Sequence, residues 1–451
     1  MDKRVCVIGG GISGLCVAYR LKKAGIDVTL FEKGQKAGGN ITTEIRDGFL
    51  YEHGPNSALA SRELLGLIDE LGLTDEIAKI DPNSKKRFII RDGKLVALPS
   101  GLGDFVRGKA FSGKAKLRLL KEPLVPGNSS NGESVASFFE RRLGKEVVDY
   151  AVDPFISGIY AGDPTQLSVK HAFPKLFDLE KNFGSLLKGA LFSKKDKTAR
   201  LPKGTPRSVT FKRGMQAMSD ALAKQLGDSI RLGTAVTRIQ RNGDNGYTVA
   251  SDQGEEVFDA VVLSTPAGAA SRLTAELDPP LSQVLGGVYY APVSVVITGF
   301  KSEHVGTDPA GFGFLVPGSE QRKVLGSLWT SSVFENRAPD GHHIFTTFIG
   351  GSRNPALSER SGAELIVIAL DELRQLMGTT GEPVLTAVKK WERAIPQYNI
   401  GYEKVIDAIE DSQKNNDGFY LCSNFYKGIS VGDCVKNGIA TAENVVEYLI
   451  K

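Results

Sequence analysis

The chain has 451 residues, of which 41% are hydrophobic and 24% are charged, so its composition excludes an intrinsically disordered protein. The formal net charge of +4 is small for this length and gives no support to a nucleic-acid-binding protein. No apolar run approaches the roughly 18 residues that a membrane-spanning helix needs. Cys6, Cys16, Cys422 and Cys434 lack zinc-site spacing, so we expect no metal and a reducing compartment, the cytoplasm.

The first 32 residues predict a strand, a helix and a second strand. Residues 5–8 form an apolar run typical of a buried parallel strand, a helical apolar stripe follows, and residues 28–31 form the next apolar run. Gly9, Gly11 and Gly14 make a G-x-G-x-x-G fingerprint between the strand and the helix. This unit predicts a doubly wound, Rossmann-like sheet that binds a dinucleotide.

Each position of the fingerprint has a physical reason. Gly9 permits a sharp turn, Gly11 lets the backbone approach a pyrophosphate, and Gly14 allows the helix to pack closely on the sheet. The helix N-terminus offers N–H groups and about half a positive charge to the phosphates. Glu32 is placed to accept a hydrogen bond from a ribose hydroxyl, and it would repel the 2′-phosphate of NADP. The predicted cofactor contacts in this unit are Gly9, Gly11, Ile12, Ser13, Gly14, Glu32 and Lys33.

NAD and FAD share this fingerprint, and three later segments favour FAD. Residues 36–43 resemble the R-x-G-G-R-x-x-T/S stretch of FAD-dependent amine-oxidase-like flavoproteins, with Asn40 in place of the second arginine. Val236 matches the segment that lies along the adenine in such enzymes. Residues 428–432 precede a predicted helix and would direct N–H groups at the flavin, where they stabilise negative charge. We expect one non-covalent FAD. Its further predicted contacts are Gly38, Gly39, Asn40, His53, Gly54, Pro55, Asn56, Val236, Thr265, Val431 and Gly432.

Longer segments match one family of flavoproteins in order, at similar spacing and over nearly the whole chain. They are GPNS at residues 54–57, KRFIIRDGK at 86–94, DPFISGIYAGDP at 153–164, FGSL at 183–186, GFGFLVP at 311–317, ENRAPDG at 335–341, FTTFIGGSRN at 345–354, AIPQYNIGY at 394–402 and GISVGDCVKNG at 428–438. These segments resemble the oxygen-dependent protoporphyrinogen oxidases, particularly those of plant mitochondria. The resemblance implies six-electron oxidation of protoporphyrinogen IX in haem biosynthesis, with molecular oxygen reduced to hydrogen peroxide.

The resemblance also implies the residues of the substrate site. Arg87 stands where the family's propionate-binding arginine lies, and a guanidinium suits a carboxylate because two N–H donors meet two oxygens. Leu315, Leu328 and Phe348 match apolar residues around the macrocycle. Gly158 matches a glycine that borders the pocket. From the residue types alone, Arg87 could equally be a surface charge and the apolar residues ordinary core.

The catalytic candidate is Asn56, which matches a polar residue near the flavin and has a turn-forming role as its alternative. His53 lies next to this turn, and we interpret it mainly as structural. No side chain stands out as an indispensable general base. We therefore expect hydride transfer from a meso carbon, with positioning and the flavin supplying the chemistry.

The predicted fold is α/β, with an α+β substrate domain. We expect an FAD-binding domain in residues 1–80, 214–285 and 405–451, and a mixed-sheet substrate domain in residues 81–97, 205–213 and 286–404. Residues 98–204 are the predicted helical insertion, with breaks at 123–127 and 153–154. Its basic clusters indicate either a solvated surface or peripheral contact with an anionic membrane. Family members are often dimers, and a homodimer is left open.

Three alternative functions remain. Coproporphyrinogen III oxidation is the nearest, and its four carboxylates would favour additional Arg or Lys in the pocket. An amine oxidase or a carotenoid desaturase of the same fold is a second alternative, although Ile429 and Ser430 stand where a covalent flavin would need a cysteine. A non-catalytic prenyl-protein carrier is a third, and the intact phosphate fingerprint argues against it.

Overall fold

A computed structural model describes residues 3–99, 101, 104, 108, 110–127, 132–193, 201, 207–243 and 246–451. The basic residues Arg107 and Lys109, and most of the basic stretch between residues 194 and 206, lie outside these ranges. The strands are β1 Arg4–Ile8, β2 Asp27–Glu32, β3 Thr43–Arg46, β4 Phe49–Glu52, β5 Ala58–Leu59, β6 Arg87–Arg91, β7 Lys94–Ala97, β8 Ser208–Val209, β9 Ile230–Leu232, β10 Val236–Arg241, β11 Tyr247–Ser251, β12 Gly254–Phe258, β13 Ala260–Leu263, β14 Tyr290–Lys301, β15 Gly313–Leu315, β16 Val324–Trp329, β17 His342–Gly350, β18 Leu385–Pro396 and β19 Phe419–Leu421.

The α-helices are spread along the whole chain. They are α1 Ile12–Lys23, α2 Arg62–Glu70, α3 Gly113–Leu120, α4 Val135–Leu143, α5 Lys145–Val147, α6 Asp153–Tyr160, α7 Val169–Ala172, α8 Pro174–Phe183, α9 Leu186–Phe192, α10 Gln216–Leu226, α11 Ala267–Thr274, α12 Pro279–Gly286, α13 Thr330–Val333, α14 Pro355–Ser358, α15 Gly362–Met377, α16 Glu403–Asn415 and α17 Val431–Ile450. In the described part of the chain, none of them combines the length and the apolar character that crossing a membrane requires.

The first sheet is parallel, with the strand order β19-β13-β1-β2-β9. Its central strands are apolar and buried on both faces, as the short apolar runs of the sequence predict. The chain leaves β1 toward β2 on one side and returns as β13 on the other, so the strand order reverses at β1. Ligands of such sheets bind at the carboxyl edge beside this reversal. The predicted Rossmann-like fold is confirmed.

The second sheet is mixed, with the order β18-β14-β17-β16-β15-β6-β7. Its neighbours are antiparallel except for β6 and β15, which run parallel. One face packs on α15, where Phe314, Trp329 and Phe345 meet Leu365 and Leu373 in a buried cluster. The opposite face therefore remains available to the rest of the molecule. All strands of each of these two sheets fall within the residue ranges predicted for one domain, whereas the small pair β5–β8 joins ranges predicted for different domains. The limits of the domains stay a prediction.

The helical insertion is held together by ion pairs that its sequence pattern does not reveal. Arg142 is buried and donates from Nε to Glu180 at 2.7 Å and from Nη1 to Glu122 at 3.1 Å. Glu122 also accepts from the backbone N–H of Leu186 at 2.9 Å, so it caps α9. These contacts join α4, α8 and α9 with the 3₁₀ turn Glu122–Leu124, which lies two residues after α3.

The predicted break at residues 153–154 is wrong. A π-helical turn, Val148–Val152, leads directly into α6, and Pro154 lies in the first turn of that helix. Pro154 is tolerated there because the π-helical turn, which ends with Asp153 N donating to Val148 O, already interrupts the α-helical hydrogen-bond ladder where the proline lacks an N–H. At residues 123–127 the break is confirmed, because this stretch holds no α-helix and consists of the end of a short 3₁₀ turn, Glu122–Leu124, followed by irregular chain.

Candidate active site

The glycine fingerprint lies at the carboxyl edge of β1 and leaves room at one position. Gly9 has φ +108°, and a Cβ there would lie 2.8 Å from Ser264 O. A Cβ at Gly14 would lie 2.0 Å from Gly9 O, so this position admits glycine only. A Cβ at Gly11 would meet nothing within 4 Å. The turn is therefore tight where it touches the protein and open where a pyrophosphate would approach.

Glu32 lies at the adjacent corner of this edge, at the end of β2. Its two carboxylate oxygens accept from Gly10 N and Gly34 N, each at 2.7 Å. Each oxygen has two acceptor sites, so the carboxylate retains capacity for a ribose hydroxyl. Thr234 N donates to Glu32 O at 3.0 Å, which brings Val236 of β10 to the same corner. Lys33 is exposed beside it.

Residues 38–40 lie against the fingerprint. Gly38 N donates to Gly10 O at 2.8 Å, and a Cβ at Gly39 would lie 3.1 Å from the Cα of Gly11. A Cβ at Gly54 would lie 1.9 Å from Asn40 O, so the turn that follows β4 packs on the same segment. The structure thus brings together three predicted cofactor segments that are separated in sequence.

Helix α17 adds a second N-terminus to this edge. Its Gly438 lies against Cys16 of α1, since a Cβ there would be 2.9 Å from Cys16 Cβ, and Cys434 faces Ser13 one turn earlier. Residue numbers rise together along both helices, so the helices run parallel. The N-termini at Ile12 and Val431 therefore lie at one end, and their positive ends reinforce each other for an anionic ligand.

A capping box starts α17 at Val431, so the helix that the sequence predicts after residues 428–432 already includes Val431 and Gly432. Ser430 Oγ accepts from Asp433 N at 3.1 Å, and Asp433 Oδ2 accepts from Ser430 N at 3.3 Å. The N–H groups of Val431 and Gly432 are not part of this box. They are the groups that the sequence predicts to approach the flavin.

The turn after β4 carries Asn56 and His53 and is held by local bonds. Asn56 Nδ2 donates to Gly54 O at 3.4 Å, as a turn-forming residue would. His53 Nε2 lies 2.8 Å from Glu44 Oε2, and His53 O accepts from Trp391 Nε1 at 2.7 Å. These bonds are structural ones.

Several buried polar atoms near the cleft lack partners within the described residues. Among them are Oδ1 of Asn56, Nδ1 of His53 and Oγ1 of Thr265, which follows β13 next to Gly9. A buried unpaired polar atom costs about 1–3 kcal/mol. Such atoms, the open side of Gly11 and the paired helix N-termini fit a bound dinucleotide.

The predicted apolar substrate residues share one face of the mixed sheet. Directly opposed residues of neighbouring strands point to the same side. Gly326 of β16 is opposite both Leu315 and Phe348, and Leu328 lies two residues further along β16. Leu315 and Phe348 are half-buried, and Leu328 is 8% exposed. This is the face that α15 leaves uncovered.

Helix α6 forms a wall beside this face. A Cβ at Gly158 would lie 2.7 Å from Leu315 Cδ2, so a side chain there would displace Leu315. We call the space bounded by Gly158, Leu315, Leu328 and Phe348 the apolar slot. Gly326, which lies between Leu315 and Phe348, has no side chain, and a Cβ there would lie 3.1 Å from Leu315 Cδ2.

Arg87 lies on the same side of the sheet, one strand beyond the slot. It is opposite Gly313, which is in turn opposite Leu328. The side chain is exposed, and its guanidinium lies 5.1 Å from the ring centroid of Phe312. In the described part of the chain, no carboxylate lies within 4.0 Å of it. The guanidinium is therefore available to an anionic ligand.

Glu52 is a buried acid that our sequence reasoning missed. It is 1% exposed and accepts from Met215 N at 2.8 Å and from Thr43 Oγ1 at 2.7 Å. Burial raises the pKa of Glu52 to about 7, although these two hydrogen bonds and the Arg337 charge oppose the shift. Its sequence signal is weak: an acid ends the fully buried strand β4. Through these two bonds, Glu52 links the start of β3 at Thr43 to Met215, the residue before α10.

Comparison with known proteins identifies the family. Residues 12–446 match the family of flavin containing amine oxidoreductases. The mitochondrial protoporphyrinogen oxidase of Nicotiana tabacum is 38% identical over 99% of this chain and 95% of its own length. The coproporphyrinogen III oxidase of Bacillus subtilis (strain 168) is 28% identical over 99% of this chain and 98% of its own length. A crystal structure from Exiguobacterium sp. 255-15 covers 100% of both chains with a TM-score of 0.83 and 26% identity.

These likenesses confirm the predicted flavin cofactor and the predicted oxidoreductase class. The roles of the individual site residues stay predictions. The chain belongs to the flavin containing amine oxidoreductases and, within them, to the protoporphyrinogen oxidase family.

Proposed function

We propose that this protein oxidises protoporphyrinogen IX to protoporphyrin IX, with molecular oxygen as the final acceptor. The observation that carries the proposal is the apolar slot on a sheet face, with Arg87 at one end. Among the described residues, no carboxylate lies within 4.0 Å of the Arg87 guanidinium. A porphyrinogen is a wide apolar macrocycle whose propionates are ionised near pH 7. The apolar residues of the slot suit the macrocycle, and the Arg87 guanidinium suits an ionised propionate.

The residues of the slot would bind and orient the substrate. Phe348 can stack on a pyrrole ring for about 1 kcal/mol, and the two leucines exclude water from the macrocycle. The Arg87 guanidinium can hold a propionate by two parallel hydrogen bonds, which fixes both position and orientation. These contacts present a meso carbon for hydride loss without a dedicated general base.

The overall reaction balances with oxygen. Six hydrogen atoms leave the substrate, four from meso carbons and two from pyrrole nitrogens, and three oxygen molecules accept them as three molecules of hydrogen peroxide. FAD, when bound, supplies the electron acceptor for the substrate. The residues proposed to hold it are those of the cleft, from Gly9 to Glu32, with Gly38, Gly39, Thr265 and the first turn of α17. Asn56 is proposed to contact the flavin by its buried amide.

An anaerobic experiment tests this function. We expect protoporphyrinogen IX to bleach the flavin absorbance, and admission of oxygen to restore it with formation of hydrogen peroxide. A flavin that neither protoporphyrinogen IX nor coproporphyrinogen III reduces would refute the proposal.

Coproporphyrinogen III is the second candidate, because a relative with that name is 28% identical over nearly the whole chain. Its four carboxylates would need further cations. Lys389 is on the same sheet face, opposite Val295, but its ammonium lies 4.7 Å from the ring centroid of Trp391. Arg87 is the better placed cation in the described residues, which favours the substrate with two carboxylates. The ratio of kcat/KM for the two porphyrinogens decides between them.

We further propose peripheral contact of the helical insertion with an anionic membrane, at the cytoplasmic face. Leu120, Leu124, Leu191 and Phe192 are each more than 70% exposed, and Glu122 joins their two segments. Exposed Lys114, Lys121 and Lys188 accompany them. Apolar residues with nearby lysines suit the interface of an anionic bilayer. Cosedimentation with phosphatidylglycerol vesicles, but not with phosphatidylcholine vesicles, is the expected result. Whether the protein forms a homodimer stays open, and light scattering can measure its oligomeric state.

A further inference from the structure

The wall of the apolar slot is a contact between two segments that are far apart in the chain. Gly158 belongs to α6 in the helical insertion, and Leu315 ends β15 of the mixed sheet. A Cβ at Gly158 would lie 2.7 Å from Leu315 Cδ2, so the two segments pack tightly at this point. The width of the slot therefore depends on what holds α6 against β15.

Arg353 bonds to both of these segments at once. Its Nη2 donates to Ser157 Oγ at 2.6 Å and to Val316 O at 3.1 Å. Ser157 directly precedes Gly158, and Val316 directly follows Leu315. One planar guanidinium thus joins the immediate neighbours of the two residues that form the wall.

An acid completes the link. Arg353 Nη1 donates to Asp153 Oδ2 at 2.9 Å, and the same oxygen accepts from Gly318 N at 2.6 Å. Asp153 begins α6, and Gly318 lies just beyond β15. Asp153 therefore gives a second connection between α6 and the segment after β15, in addition to the hydrogen bonds of Arg353 Nη2.

The link is largely shielded from water. The side chains of Arg353 and Asp153 are 21% and 13% exposed. Burial raises the pKa of Asp153, and the Arg353 charge opposes that shift. Removing one partner of such a pair leaves a poorly solvated charge, so α6 would move to let water in.

We propose that Arg353 is a positioning residue that sets the width of the apolar slot by clamping α6 to β15. The proposal rests on the proposed porphyrinogen oxidation. Arg353 acts through Gly158 and Leu315 and has no direct contact with the macrocycle. Lysine cannot replace it, because a single ammonium does not reproduce the planar fork that reaches Ser157, Val316 and Asp153 together.

The test compares Arg353→Lys with a matched control, Arg322→Lys. Arg322 pairs with Glu372 at 2.7 Å on the opposite face of the same sheet, with side-chain exposures of 16% and 9%. In both variants, an ammonium replaces the planar guanidinium of a similarly buried ion pair. We expect both to lower the thermal midpoint, but only Arg353→Lys to lower kcat/KM for protoporphyrinogen IX, by about tenfold and mainly through KM.

Three further measurements separate positioning from general instability. Flavin occupancy and the rate at which oxygen reoxidises the reduced protein should equal the wild-type values in Arg353→Lys. Ser157→Ala, which removes one bond and keeps the ion pair, should raise KM about threefold. Equal kinetic losses in Arg353→Lys and Arg322→Lys, or unchanged kinetics in Arg353→Lys and Ser157→Ala, would overturn the proposal.

The wild-type protein separates this proposal from the proposed function. If it fails to oxidise either porphyrinogen, the function itself is wrong. If it is active and Arg353→Lys keeps the wild-type KM, the function stands and the clamp is wrong.

Discussion

The dinucleotide cleft and the apolar slot are built by opposite means. The cleft is made of backbone: Gly9 and Gly14 fit without a side chain, and two helix N-termini meet at one edge. The slot is made of side chains that distant strands bring to one sheet face, with Gly158 of a separate helix as its wall. A site formed by backbone atoms can be recognised from short contiguous sequence motifs, whereas a site formed by side chains depends on the register of the strands. Changes to the cleft should therefore affect cofactor binding, and changes to the slot should affect substrate binding alone.

Gly14→Val tests the cleft and should have the largest effect. The new side chain would start 2.0 Å from Gly9 O and separate α1 from the sheet. We expect purified protein that has lost most of its flavin absorbance. Gly66→Ala is the control, because a Cβ there meets nothing within 4 Å and should leave flavin content unchanged. Full flavin retention in Gly14→Val would mean that the fingerprint is misplaced.

Gly158→Val tests the slot. Its side chain would push Leu315 across the space proposed for the macrocycle. We expect a loss of about a hundredfold in kcat/KM for protoporphyrinogen IX, since small displacements in a packed site have effects of this size. Flavin content should stay at the wild-type level, which distinguishes this result from that of Gly14→Val. A variant with wild-type kinetics would remove Gly158 from the substrate site.

Arg87→Ala tests the charged end of the slot. Loss of a hydrogen-bonded charge pair with a propionate should raise KM about tenfold, with flavin content and kcat little changed. The neighbouring Lys86 is also exposed but points to the other side of the strand, so Lys86→Ala is a matched control. Similar KM values in Arg87→Ala and wild type would leave Arg87 as a surface charge.

Glu52→Gln tests a buried acid beside the cleft through the pH dependence of stability. The folded-state pKa of Glu52 is raised from 4.5 to about 7, so its protonated form is the one that folding favours. The resulting stability is fully present below pH 4.5 and is lost as the pH rises through 7. The free energy of unfolding of the variant relative to wild type should therefore increase between pH 4.5 and 8, by about 3 kcal/mol at most.

Urea titrations of both proteins at the two pH values measure this difference. All other titrating groups are shared, so the difference isolates Glu52. A difference that does not change with pH would contradict the raised pKa.

Much of the fold was predictable because its signals are local. The hairpin of β6 and β7 follows from Asp92-Gly93, whose φ angles of 52° and 71° are those of a tight hairpin turn. The start of α15 is set by the capping box of Ser361 and Glu364. Strand β18 was not predicted, because Lys389 to Arg393 lack an apolar alternation that would distinguish an edge strand from a loop.

The residues of the cleft could be predicted from the spacing of the glycines and of Glu32, but the residues of the slot were predicted only from the family resemblance. Neither Arg353 nor Glu52 could be found in that way. Arg353 is one of many arginines, and its partners lie 196 and 200 residues away in the chain. The raised pKa of Glu52 comes from burial, which depends on tertiary packing and leaves no local sequence signal.

By itself, the sequence determined the glycine fingerprint, the acid that ends β2 and the helix caps, because each shows as a residue type at a fixed short spacing along the chain. The tertiary structure decided which side chains face the slot, which acid is kept from water and which arginine joins α6 to β15. Those properties depend on strand register and burial, and neither exists until distant segments of the chain have packed together.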